Sequence, residues 1–308
     1  MNKELAGLAG KRRALFLRAR VVKSIREYFE GEGFLEVQTP VRLPVVAPET
    51  HIDAVSSDGW FLQTSPELCM KRLLAAGFEK IFQLGPCFRE GERGEKHLPE
   101  FTMLEWYRSG ADYAALMGDC RGLLRRVADD LGAEGKLCRE GREIDLHGEW
   151  EELTVREAFA RFAGITPEEA IRAGTFDEIT VTKIEPNLGS GRPSILKDYP
   201  ASLSALSRIK ASDPAVCERF ELYIAGLELA NGFSELTDPM EQRERFNRER
   251  RARLEAGKPV RPMPEPFLRD LEHLPPSAGI ALGVDRLVML FAGAESIDDV
   301  VAFSPEEL

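Results

Sequence analysis

SAGIALGVDRLVML, residues 277–290, packs two glycines, one aspartate and one arginine into an otherwise apolar run. Its periodicity predicts a strand that turns directly into a core helix. The glycines let the backbone approach a ligand closely, and an alanine, Ala281, stands in the middle of the small-residue run. Arg286 starts the helix, where a charge that buries itself needs a partner. That partner, and the sheet that receives the strand, must come from the rest of the chain.

Upstream, ELYIAGLELANGFSEL, residues 221–236, repeats Glu221, Glu228 and Glu235 every seven residues within apolar surroundings. Alternation breaks at Gly226 and Gly232, so the facing of these carboxylates depends on bulges and is not settled by counting. Glutamates are almost never fully buried unless paired or metal-bound. Beside a nucleotide they would suit Mg²⁺, which prefers one or two carboxylates plus phosphate oxygens.

A third cluster is FREGERGEKHLPEFTMLEWY, residues 88–107. Residues 80–90 and 100–110 read as two strands around a polar, Gly-containing hairpin loop. Arg89 ends one strand and Glu105 stands on the next, with Lys96, His97 and Phe101 placed to reach into a cleft. An Arg fork matches phosphate oxygens with charge-assisted hydrogen bonds. On the residues alone, a ligand site and a charged surface hairpin both stay open.

The remaining elements follow in order. Residues 11–31 form an amphipathic helix closed by Gly31, and GFLEVQTPVRLP gives a short strand stopped by Pro40. Residues 60–75 read as a strand and then a helix opening at Ser65–Pro66. Residues 111–131 are helical, and the pattern weakens into helices and loops over about 138–191. Two further strands are expected, near YPASLSAL and RFELYIAGLELANGFSEL. The segment QRERFNRERRARLEAGKPVR, residues 242–261, reads as a solvated helix laced with i,i+4 ion pairs, or as a basic patch. No repeat or composition break marks a second domain, so residues 1–308 are expected to be a single α+β domain.

Composition narrows the function. The hydrophobic share of 43% and charged share of 30% are ordinary for a globular protein. No uncharged apolar run reaches the roughly 18 residues of a membrane helix, and the amino terminus lacks a secretory h-region. A cytoplasmic protein without membrane partners is expected. Five cysteines without a CxxC pair and four scattered histidines suggest neither a disulfide framework nor a zinc site. The net charge of −11 argues against a protein built to grip a nucleic-acid backbone.

The clusters resemble the signature motifs of the class II aminoacyl-tRNA synthetases, in the lysyl branch. TSPELCMKRL, FRE…HLPEFTMLEWY, ELANGFSELTD and ALGVDRLVML follow one another in that family's order, across nearly the whole chain. The resemblance implies an antiparallel sheet flanked by helices and a homodimer formed through the helix and strand that end at Pro40. It implies ATP as substrate, with Arg89 on the α-phosphate, Arg286 on the γ-phosphate, His97 near the phosphates, Phe101 stacked on adenine, and Glu221 and Glu228 holding Mg²⁺. It implies a lysine pocket in which Glu67 and Glu105 take amino groups and Tyr107, Asn231, Phe233 and Glu235 line the side chain. Arg89 and Arg286 would be the catalytic pair. An amino-acid carboxylate would attack the α-phosphorus in line, with no protein nucleophile.

One position departs from the pattern. The family reads Phe-Arg-x-Glu, with the glutamate on the adenine amino group; here that position is Gly91, between Glu90 and Glu92.

Full lysyl-tRNA synthetases carry an anticodon-binding OB domain of about five strands ahead of this core, and about ten residues precede the first core helix here, so none is expected. The chain thus resembles the shortened paralogues, the elongation factor P lysine ligases, which attach lysine, by preference its (R)-β isomer, to a lysine side chain of elongation factor P. The alternatives are a truncated synthetase charging tRNA and an inactive synthetase-like regulator. As the families compare, the ligases have alanine at Ala281 where the synthetases have glycine. One methyl in a tight recess costs roughly 1–3 kcal/mol, enough to disfavour an α-amino group and tolerate a β-amino group. The acceptor by family analogy is an acidic protein, for which the helix around Arg243–Arg253 is a candidate docking face.

Overall fold

A computed structural model of the protein describes residues 3–139 and 141–308. Its centre is one eight-stranded sheet. In chain order the strands are β1 (Leu35–Glu36), β2 (Lys80–Phe88), β3 (Glu100–Ser109), β4 (Glu151–Thr154), β5 (Ser194–Pro200), β6 (Val216–Ile224), β7 (Leu227–Ser234) and β8 (Ser277–Gly283). They lie in the order β1-β2-β3-β8-β7-β6-β5-β4. The six central strands pair antiparallel, while β1 and β4 add one short parallel strand at each edge. The α+β class stands, with the sheet mixed at its margins.

Period-two alternation gives this sheet two different faces. Leu104 and Trp106 of β3, Ile280 and Leu282 of β8, and Phe220 and Leu222 of β6 point into one large apolar cluster. That face is covered by helices α1 (Arg12–Gly31), α3 (Tyr113–Leu131) and α5 (Val284–Ala292), which bring Phe29, Leu123 and Leu287 to the same cluster. The residues between them in sequence, Glu105, Tyr107, Gly279 and Ala281, turn to the opposite face and line a cleft. There α2 (Glu67–Ala75) and α4 (Pro239–Glu255) contribute Leu68, Leu74 and Phe246 to a second cluster beside it.

Asp285 explains the aspartate in the strand-to-helix turn. Its carboxylate accepts from the Thr102 backbone N–H (2.6 Å) and from Arg18 Nη1 (2.5 Å). The start of α5 is thereby fixed to β3 and α1, and Arg286 is left to face the cleft.

Four expectations change. The RFELYIAGLELANGFSEL strand is a hairpin, β6 and β7, turning at Ala225 and Gly226, whose φ values are +51° and +67°. Left-handed residues at a two-residue turn match the twist of the flanking strands, but an Ala-Gly pair inside an apolar run gives little warning of one. The strand near YPASLSAL lies earlier than expected: β5 takes only Tyr199 and Pro200 of it, and Leu203 and Leu206 beyond pack into two different clusters. Of GFLEVQTPVRLP only β1 joins the main sheet. The weak stretch holds a hairpin (Lys136–Arg139 with Arg142–Asp145), β4, and helices Val155–Phe162 and Pro167–Ala173, each opened by a Thr–Glu capping box.

Candidate active site

Strand register builds the floor of the cleft. Gln83, Glu105, Ala281, Asn231 and Glu221 stand opposite one another across β2, β3, β8, β7 and β6. The neighbouring row is Ile81, Tyr107, Gly279, Phe233 and Arg219. The cleft above has a volume of about 1020 Å³ and is lined by Glu67, Arg89, His97, Phe101, Glu105, Tyr107, Glu221, Glu228, Asn231, Phe233, Ala281 and Arg286. Glu235 lies fully buried beneath it. Residues spread over some 220 positions of sequence are thus one surface, because β8 inserts between two hairpins.

One end is rich in carboxylates. Ser65 Oγ accepts from the Glu67 N–H (3.0 Å) and donates to Glu105 Oε1 (2.6 Å). Tyr107 donates to Glu105 Oε2 (2.7 Å). Burial, and then the charge of Glu67, push the Glu105 carboxyl up to about 7. Lys71, fully buried one turn into α2, sits 2.6 Å from Glu67 Oε1 and 2.5 Å from Glu235 Oε2, with its Nζ 5.1 Å from the Phe233 ring centroid. Glu235 Oε1 is buried without a hydrogen-bond partner among the described residues. Burial pushes the Glu235 carboxyl above the usual range, Lys71 pulls it down, and Glu67 adds to the rise. Gly279 gives this corner its room: a Cβ there would come within 2.1 Å of Tyr107 Cε1 and 2.5 Å of Glu235 Oε1.

The other end offers cations. The Arg89 guanidinium lies over Phe101, 5.1 Å from the ring centroid, and its buried Nε has no hydrogen-bond partner among the described residues. Arg286 Nη2 is 2.7 Å from His97 Nε2, and its Nη1 donates to the Glu228 carbonyl (2.8 Å). Burial and the Arg286 charge lower the His97 pKa, which keeps the ring neutral and able to accept. Glu221 is held by Arg219 Nη2 (2.7 Å) and by the Tyr223 hydroxyl (2.6 Å). Burial, then the neighbouring Glu221, raise the Glu228 carboxyl. At the departing position, Gly91 has φ +78°, and Glu92, not Glu90, lines the cleft, 3.8 Å from Arg89.

Sequence reading missed Lys71, Arg219, Ser65 and Glu49. Lys71 stands at i+4 from Glu67, a spacing that pairs charges on a helix, and Arg219 shares Glu221's face two residues away. The basic segment also differs from its expectation. Among the described residues, its one i,i+4 ion pair joins Arg245 to Glu241, the residue just before the segment. Arg245 and Arg253 are buried, donating to carbonyls of Ala205, Ser207, Glu49 and Ile52. Those two arginines carry structure inside the protein, so a docking face there would rest on the others.

A family model described as tRNA synthetases class II (D, K and N) matches residues 9–307. Among named relatives, the elongation factor P–(R)-β-lysine ligase of Proteus mirabilis is 41% identical over 305 residues, covering 94% of both chains. Those of Photorhabdus laumondii and Hamiltonella defensa are 42% and 40% identical, with 94% and 95% coverage. The chain belongs to this ligase family. It is therefore an ATP-dependent ligase on a class II synthetase fold. Membership places the ligase reading above the tRNA-charging and inactive-regulator alternatives.

Proposed function

We propose that this chain activates (R)-β-lysine with ATP as an aminoacyl-adenylate and transfers it to a lysine side chain of elongation factor P. The observation that carries the reading is one cleft with carboxylates at one end and Arg89 and Arg286 at the other, joined by the row Glu105–Ala281–Asn231–Glu221. A diamino acid presents two ammonium groups and a carboxylate, and that charge pattern matches the cleft. Residues 1–308 would act as one catalytic domain.

Glu67 and Glu105 take the substrate's amino group, and Glu235, with Tyr107, Asn231 and Phe233, receives the distal end. Arg89, whose buried Nε is unpaired, takes the α-phosphate; Arg286, fixed by His97 and Glu228, takes the γ-phosphate. Adenine uses the face of Phe101 that Arg89 leaves free, with Glu92 in place of the missing glutamate at Gly91. The substrate carboxylate then attacks the α-phosphorus in line, pyrophosphate leaves, and both arginines offset the negative charge that develops.

No cluster of three or more metal-ligating side chains occurs among the described residues. Glu221 and Glu228, whose charges oppose one another, still fit a Mg²⁺ that completes its shell with phosphate and water. Such an ion would neutralise phosphate charge. Exposed Phe16, Leu35 and Val41, on α1 and around β1, favour a homodimer across that edge. Among the described residues no helix is long and apolar enough to cross a membrane, in keeping with a cytoplasmic enzyme.

Exchange of labelled pyrophosphate into ATP, run with (R)-β-lysine and α-lysine, tests the first step. Offering labelled β-lysine with elongation factor P or with tRNA tests the second. Label on elongation factor P alone is expected; label on tRNA alone would overturn the reading.

A further inference from the structure

Glu49 has no place in the machinery described so far. It belongs to the loop of residues 48–53, which walls the cleft. This loop is pinned from several sides. Arg253 Nη1 donates to the Glu49 carbonyl (2.8 Å), and Arg261 Nη2 donates to that of Ile52 (3.0 Å). Arg253 Nη2 and Lys258 Nζ each lie 2.8 Å from the Asp53 carboxylate. Glu249 accepts from the Thr50 N–H (2.9 Å), and the Glu90 N–H donates to the Asp53 carbonyl (2.7 Å), tying the loop to the residue after Arg89.

Amid that web of bonds, the Glu49 carboxylate itself makes no hydrogen bond or ion pair among the described residues. The charges that act on it are Glu67 from α2, Arg89 from the end of β2, Glu249 from α4 and Arg261 from the following linker. Burial, with Glu67 reinforcing it, pushes the carboxyl up to about 7. Glu67 and Arg89 are also the groups assigned to the two ends of the reacting unit, the amino group and the α-phosphate. The carbonyl carbon attacked in the second step lies between those two ends.

We propose that Glu49 is the base that takes a proton from the acceptor lysine's ammonium in the transfer step. This rests on the adenylate-forming reading above. The ammonium gives one proton to Glu49, and the freed nitrogen lone pair attacks the adenylate carbonyl carbon. The C–N bond forms, the C–O bond to the phosphate breaks, and AMP leaves. The second proton on the new nitrogen passes to the departing phosphate or to water. A rigid loop suits this role, because a base must be held within hydrogen-bond reach of the proton it removes.

The test is Glu49→Gln, assayed in three ways on the whole enzyme. Pyrophosphate exchange reads adenylate formation. Single-turnover transfer from preformed adenylate to elongation factor P reads the complete second step. Transfer to hydroxylamine, an amine already neutral at pH 7, reads the same bond-making without deprotonation. The loss in transfer to elongation factor P at pH 7 is expected to exceed any loss in exchange by about 10²-fold. That excess should shrink as pH rises toward the lysine pKa of about 10.4, and transfer to hydroxylamine should keep pace with exchange. An equal loss with both acceptors overturns the proposal, as does unchanged transfer to elongation factor P. A raised lysine KM in exchange with no separate transfer defect would make Glu49 a substrate-binding group and overturn it too. Absence of exchange in the unaltered enzyme would overturn the adenylate reading, and this base with it.

Discussion

Lys71 and Glu235 form a fully buried ion pair, 2.5 Å from nitrogen to oxygen, directly under the cleft. The same ammonium reaches Glu67, so one cation offsets two carboxylates in a place where water cannot. A charge pair of this kind adds little over an apolar replacement of both members, but removing one member strands the other. Lys71→Met should therefore lower the unfolding free energy by about 3–5 kcal/mol, measured by urea denaturation. Unchanged stability would mean that Glu235 takes up a proton in place of its lysine partner.

Ala281 sits in register between Glu105 and Asn231, on the cleft side of β8. Its methyl therefore stands on the floor that an α-amino group bound at Glu105 would approach. Ala281→Gly should improve α-lysine activation relative to β-lysine by about tenfold, as a steric cost of roughly 1–3 kcal/mol implies. The ratio of kcat/KM for the two isomers in pyrophosphate exchange decides it, and an unchanged ratio would refute the role.

Gly279 and Gly283 flank Ala281 on the same strand face yet should respond differently. A Cβ at Gly279 meets Tyr107 Cε1 at 2.1 Å, whereas at Gly283 its nearest neighbour is Arg286 Cδ at 3.6 Å, ordinary contact. Gly279→Ala should displace Tyr107 or Glu235, raising the lysine KM at least tenfold while the ATP KM stays within about threefold. Gly283→Ala should change either constant by less than about threefold. Equal behaviour of the two variants would show that the Tyr107 corner yields freely.

These contrasts indicate what the sequence made legible. The strands that hold Glu105 and Ala281 were legible, and once they pair, period two sends Leu104 and Ile280 to the core and Glu105 and Ala281 to the cleft. The resemblance placed the charged residues on that frame. Lys71 escaped because KRL in an amphipathic helix looks like a solvated face, and only the third dimension brings Glu235 to it. Glu49 escaped because a proline-flanked loop has no period; its position depends on Arg253 and Arg261, two hundred residues away. The β6–β7 turn escaped because Ala225 adopts a left-handed conformation that alanine seldom takes.

The carboxylates of the cleft predict an unusual pH response. Burial raises the Glu105 carboxyl to about 7 and raises Glu228 as well. In the unfolded chain these groups lose their protons near pH 4.3. Between about pH 5 and 8 the native protein thus holds carboxyl protons that the unfolded chain has released, so stability falls as pH rises through that window, with the lowered pKa of His97 offsetting part of the fall near its acid end. Lys71, whose own pKa is raised once its two glutamate partners outweigh its burial, stays charged throughout and contributes no slope there. Asp53, held down by Lys258 and Arg253, acts only at lower pH. A diamino ligand reverses the balance, because its ammonium groups favour the ionised carboxylates. The melting temperature of the free enzyme should be lower at pH 8 than at pH 6, and the upward shift produced by (R)-β-lysine should be larger at pH 8. Thermal denaturation with and without the amino acid at both pH values measures both terms. A ligand-induced shift that is larger at pH 6 would mean that these carboxylates are already ionised in the free protein, or that the ammonium groups bind elsewhere.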